Sequence, residues 1–103
     1  MALTDKAIKI ITHYGFDKQK YIAIEEMSEL IQAIIKLDRY KDDKEYFKYM
    51  DKFREELADV YLMILQLMLS DKELYDIVKR IADIKADRQL EKIWKARSNL
   101  CIQ

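Results

Sequence analysis

Two short acidic runs, Glu25-Glu26-Met27-Ser28-Glu29 and Glu55-Glu56-Leu57-Ala58-Asp59, repeat one spacing. In each, a glutamate pair is followed three residues later by another acid, and each opens an apolar stretch. At about 100° per residue, a helix places Glu26 inside an apolar arc with Ile22, Leu30, Ala33 and Leu37. Glu56 falls in the same way among Tyr49, Val60, Met63 and Leu67, while Glu29 and Asp59 sit at the edges of the two arcs. A carboxylate aimed at a core is costly unless it is paired or binds a metal. Several at one point repel one another in a low dielectric, and a divalent cation removes the repulsion. All-oxygen ligands suit a hard ion, Mg²⁺ or Mn²⁺. Di-iron bundles use Glu-x-x-His pairs; the single histidine, His13, lies outside any such pair and speaks against iron. Either motif alone is no better than a solvated helix face in a chain that is 37% charged. The occurrence of two, each with a glutamate inside an apolar arc, favours a metal site.

Helices must position these residues. There is no proline and one glycine, strand patterns are absent, and the 3.6-residue period runs throughout, so the chain reads as all-α. Thr4 or Asp5 is expected to cap a short first helix, which Gly15 stops in a left-handed conformation. Asp17 is expected to cap a second helix to about Leu37, with Ala23, Met27, Leu30, Ile31 and Ile34 as its buried set. The polar stretch Asp38–Lys44 is the expected turn. A third helix then runs from about Glu45 to Leu69, and Ser70 with Glu73 forms a capping box for a fourth. With the turn at about 39–44, Glu26 lies thirteen residues before it and Glu56 twelve after it. In an antiparallel hairpin the motifs therefore meet at one depth, Glu26 and Glu29 against Glu56 and Asp59.

The fourth helix opens with Leu74, Ile77, Val78, Ile81 and Ile84 on one face. Lys85, Arg88 and Lys92 continue that direction, and the apolar Leu90, Ile93 and Trp94 turn elsewhere. Either the helix breaks near Asp87 or its tail packs on a partner subunit, and the uncovered apolar set predicts a dimer or tetramer.

Composition narrows the class. The chain has 103 residues, which suggests a single domain, and 50% of them are hydrophobic, enough for a real core. Nineteen basic and nineteen acidic residues cancel, so no basic field points to a nucleic-acid polymer. The lone Cys101 excludes an internal disulfide framework and fits a reducing cytoplasm. No signal-peptide pattern opens the chain, and no apolar run approaches the ~18 residues of a membrane span.

The pattern EExxE, a spacer, then ExxD on two middle helices of a small all-α domain resembles the MazG-like all-α nucleoside triphosphate pyrophosphohydrolases. The resemblance covers about Ile10 to Arg88, with Glu25, Glu26 and Glu29, then Glu56 and Asp59, and 26 residues between the motifs. It implies a four-helix bundle completed by oligomerisation, and hydrolysis of a nucleotide between its α and β phosphates to a monophosphate and pyrophosphate. It implies Mg²⁺, for which Mn²⁺ can substitute, held by Glu26, Glu29, Glu56 and Asp59, with Glu25 acting on water or on the ligands. Gln19, six residues before Glu25, resembles a glutamine of the family, and Lys85 and Arg88 resemble its late phosphate-contacting residues. Their plainer reading is ion pairing with Asp83, Asp87 or Glu91. Phosphoribosyl-ATP pyrophosphatase shares this fold and chemistry, and spacing alone does not separate it. A non-catalytic helical interaction module is the alternative from another class.

Other residues fit structural roles. His13 reads as a helix-end residue; Tyr21, Tyr40, Tyr46, Tyr49 and Phe53 as core or interface; Met63 and Met68 as core filler. Trp94 reads as a subunit contact. Cys101, with no histidine near it in sequence, is a poor nucleophile.

Overall fold

The structure, a computed structural model, describes residues 1–102, with side chains through Asn99; the Cys101 side chain lies outside the described residues. It is all-α: α1 (Leu3–Tyr14), α2 (Phe16–Arg39), α3 (Tyr46–Leu69) and α4 (Lys72–Ile102), with no strand among the described residues. Met1–Asp71 forms one compact unit, and the chain from Lys72 a second. None of the helices is long and apolar enough to cross a membrane.

Within the first unit α2 and α3 make the main interface, and α1 packs on both. Three side-chain pairs show that α2 and α3 are antiparallel. Gln19 meets Gln66 at the start of α2, Glu29 lies beside Glu56 in its middle, and Tyr40 stacks on Tyr49 just past its end, 4.3 Å between ring centres. The two outer pairs pin the register. Gln19 and Gln66 are 5% and 1% exposed, and buried amides must find partners. Gln19 Nε2 donates to Gln66 Oε1 over 2.8 Å, and Gln66 Nε2 donates to Met63 Sδ. A slip of one helical position breaks this pair, so the carboxylates between the pins are held at one depth.

The buried core is small: Ala7 and Ile11 of α1, Ala23 and Ala33 of α2, and Val60, Met63 and Leu65 of α3. On α2 the half-buried residues are Lys20, Ile22, Glu26, Leu30 and Leu37, and all but Lys20 belong to the Glu26 arc. The expected set of Met27, Ile31 and Ile34 is corrected here, since these are 40%, 58% and 49% exposed. The cause is the direction of the partner helices. Alanines at 23 and 33 let a neighbouring helix approach closely, and that selects the face bearing Glu26.

Helix ends differ from expectation more than helix bodies. Ala2 is the N-cap of α1 and makes no side-chain cap bond, so neither Thr4 nor Asp5 caps it; Asp5 lies in the first turn. Asp17 is likewise inside the first turn of α2 and not its cap; there it complements the helix dipole and pairs with Lys20 at 3.2 Å. Ser70 ends α3, and its Oγ donates back to the Leu67 carbonyl over 2.6 Å. It is therefore not the N-cap of a capping box with Glu73. α4 runs unbroken through Asp87, because no proline or glycine interrupts the sequence there.

Gly15 alone separates α1 from α2, ending one and opening the other. Its φ of 87° is positive as expected, but ψ of 155° places it in the extended mirror region and not in the left-handed helical one. Only glycine enters that region readily. A Cβ at Gly15 meets nothing within 4 Å, so the cost of Gly15→Ala is conformational alone. It is expected to destabilise by about 1–3 kcal/mol in urea denaturation, and an unchanged midpoint would show that the junction relaxes freely.

Candidate metal centre

Glu26 and Glu29 come from the middle of α2, and Glu56 from the facing stretch of α3. One carboxylate oxygen of each lies within 4.8 Å of the others. Glu56 is 3% exposed, Glu26 is half-buried and Glu29 is exposed, so the group runs from the interior to the surface. The Oε2 atoms of Glu26 and Glu56 are both buried and have no hydrogen-bond partner. Buried polar atoms are almost always satisfied. Two orphaned carboxylate oxygens in one three-acid group fit a hard divalent cation, which oxygen ligands suit.

The electrostatics agree. Burial first, then the charges of Asp59, Glu29, Glu56 and Glu25, push the Glu26 carboxyl above its ordinary value of 4.5. Glu56 is shifted the other way: the hydrogen bond from Lys52, helped by the Lys52 charge, holds it below the ordinary value, against the opposing effect of its burial. Lys52 Nζ lies 2.8 Å from Glu56 Oε1, and the Lys52 side chain is 60% exposed. A solvent-facing ammonium thus occupies one oxygen of Glu56 while the other stays unpaired.

The signs of the two shifts matter for pH. Glu56 contributes stability that is present above the unfolded carboxyl value and lost as pH falls through its depressed folded value. Glu26 does the reverse: its contribution is present below the unfolded value and is lost as pH rises through its raised folded value. A proton on Glu26 competes with a cation. Mn²⁺ affinity, measured by calorimetry, is therefore expected to rise with pH across the region above 4.5 in which Glu26 ionises. An affinity that stays flat as pH rises from the ordinary carboxyl value would remove Glu26 from the ligand set.

The structure thus brings together three of the four expected ligands. Asp59 is outside the group and exposed, though its charge is the second cause of the Glu26 shift. Glu25 is exposed and contributes no oxygen to the group; its backbone carbonyl accepts from Ser28 Oγ over 2.8 Å. Gln19 lies in the interior, its amide bonded to Gln66. Lys85 and Arg88 are on α4, outside the unit that carries the carboxylates, and both are exposed.

Glu29 and Glu56 line a cleft of about 220 Å³ with Gln32, Ala33, Lys36 and Lys52. Sequence reasoning missed Lys52. Its signal was the four-residue spacing to Glu56, the helical distance at which opposite charges meet, but in a chain with this many lysines that spacing singles out no pair.

Comparison of the chain with protein-family models, with curated proteins and with solved structures finds no match.

Proposed function

We propose that the protein is a divalent-cation-dependent nucleotide pyrophosphohydrolase, cleaving a nucleoside triphosphate to its monophosphate and pyrophosphate and so clearing unwanted nucleotides. The observation that carries this reading is the pair of buried, unpartnered oxygens on Glu26 and Glu56, within a three-carboxylate group that opens on a lysine-lined cleft. The resemblance of Glu25-Glu26-x-x-Glu29 and Glu56-x-x-Asp59 to the MazG-like pattern supports the same reaction.

Glu26, Glu29 and Glu56 would hold Mg²⁺ or Mn²⁺, with Asp59 completing the set from the next turn of α3. A bound cation supplies charge neutralisation for the phosphates and polarisation of a water. The chain's own residues do the rest. Lys52, largely solvent-facing, leaves Glu56 for a phosphate oxygen when the carboxylate takes the cation. The walls of the cleft orient the phosphates for in-line attack. Water adds to the α-phosphorus, the bond to the bridging oxygen breaks, pyrophosphate leaves and one proton is released. The chain is proposed to work as a dimer or tetramer, which the exposed stripes Ile24, Ile31 and Ile35 on α2 and Leu57, Tyr61 and Ile64 on α3 support.

The Lys52–Glu56 ion pair favours one other reading, a helical interaction module in which lysine alone neutralises the site. Pyrophosphate release from a panel of ribo- and deoxyribonucleoside triphosphates separates the two. Magnesium-dependent turnover of at least one member is expected; no turnover of any, together with no cation binding, leaves the module.

A further inference from the structure

The face of α2 that carries Glu29 continues beyond the carboxylates. Gln32, Lys36 and Arg39 follow at helical spacing, all within one quadrant of the helix. Gln32 and Lys36 line the cleft that holds Glu29 and Glu56. The same two residues, with Ile35 and Arg39, line a second cleft of about 200 Å³. The two clefts therefore share Gln32 and Lys36, the first carrying the carboxylates and the second Arg39. Neither Lys36 nor Arg39 makes an ion pair among the described residues; Arg39 only lies over the Tyr40 ring, 6.0 Å from its centre. No acid lines the second cleft. At a rise of 1.5 Å per residue, Lys36 stands ~10 Å along the helix from Glu29, and Arg39 ~15 Å. Both therefore stand along α2 beyond the carboxylates, toward its C-terminal end.

We infer that Gln32, Lys36 and Arg39 form a second anion subsite, and that the substrate is a nucleotide with a further phosphate on the far side of its sugar from the phosphates at the carboxylate end. This rests on the cation-dependent reading above. Lys36 and Arg39 are exposed, and no acid lines the cleft they share with Gln32; a second phosphate there takes charge-assisted hydrogen bonds from both, and Gln32 Nε2 adds a neutral donor.

The test uses two nucleotides without an anhydride bond, so neither is turned over: AMP and adenosine 3′,5′-bisphosphate, titrated calorimetrically into the full chain with Mn²⁺. Mn²⁺ alone is titrated in parallel. The wild type is expected to bind the bisphosphate at least about tenfold more tightly than AMP, in line with one charge-assisted contact. Lys36→Ala and Arg39→Ala are expected to shrink that ratio, and the double variant to abolish it. All three variants are expected to bind Mn²⁺ alone like the wild type. Lys9→Ala, an exposed lysine of α1, is expected to keep the ratio. Equal binding of the two nucleotides, binding of neither, a ratio that survives the double variant, or one that Lys9→Ala also lowers overturns the subsite. If Mn²⁺ still binds in those cases, the cation site stands. A wild type that binds no Mn²⁺ overturns the cation site and the subsite together.

Discussion

Glu56→Gln is expected to cut pyrophosphate release by roughly a hundredfold or more, the loss that follows when a cation supplying several kcal/mol of charge stabilisation is no longer held. The substitution keeps the shape of the side chain and removes one charge from a group whose oxygens lie within 4.8 Å. Stability in EDTA is expected to change little. A buried cation left without its acid is strongly destabilising, but the partner here is Lys52, whose side chain is 60% exposed and can turn to water. Loss of the Lys52 contact is also offset by relief of repulsion on Glu26, to which Glu56 contributes. Activity and thermal unfolding in EDTA are measured side by side. A variant that melts about 10 °C lower yet still turns over when folded would show that Glu56 is a structural partner of Lys52 and not a ligand.

The second large effect concerns Lys52 itself. Anything that binds only the folded state stabilises by mass action, by about 2.7 kcal/mol when its concentration is a hundred times Kd. For a small domain this raises Tm by about 10 °C or more. Mg²⁺ or Mn²⁺ is expected to do so for the wild type relative to EDTA. Lys52→Ala takes away the cation that, among the described residues, pairs with Glu56. Its Tm in EDTA is expected to fall, because the carboxylates lose their counter-ion. Its Tm with cation is expected to fall less, because the competitor for Glu56 has gone. The gap between the two conditions therefore widens. A gap equal to or smaller than that of the wild type would contradict a shared claim of lysine and metal on Glu56.

Much of this site was legible in the residues. The apolar arcs around Glu26 and Glu56 are the faces that the structure packs, and the bounds of α3 and the polar turn fall where the pattern puts them. The reason is that a 3.6-residue period with long apolar stretches constrains which way a helix faces, and an antiparallel hairpin fixes depth. Helix ends were less legible. Thr4, Asp5, Asp17 and Ser70 all carry capping side chains, and none acts as the expected cap; which of several eligible residues takes that role depends on a turn or two of local geometry. Met27, Ile31 and Ile34 were misplaced because α2 is apolar on more than one side, so hydrophobicity alone does not pick the packed face. Alanines 23 and 33, which admit the neighbouring helix, do pick it. Glu25 and Asp59 belong to the motif as letters, but Asp59 sits a turn beyond Glu56 and stays exposed.

The most direct test of the central claim is a titration of the EDTA-stripped protein with Mn²⁺, followed by calorimetry or by the electron-spin signal of the free ion. Saturable binding is expected for the wild type, and its loss is expected in the Glu29→Gln, Glu56→Gln double variant while the fold, followed by circular dichroism, is retained. No saturable binding by the wild type, or binding of equal strength in the double variant, would contradict a cation held between Glu26, Glu29 and Glu56.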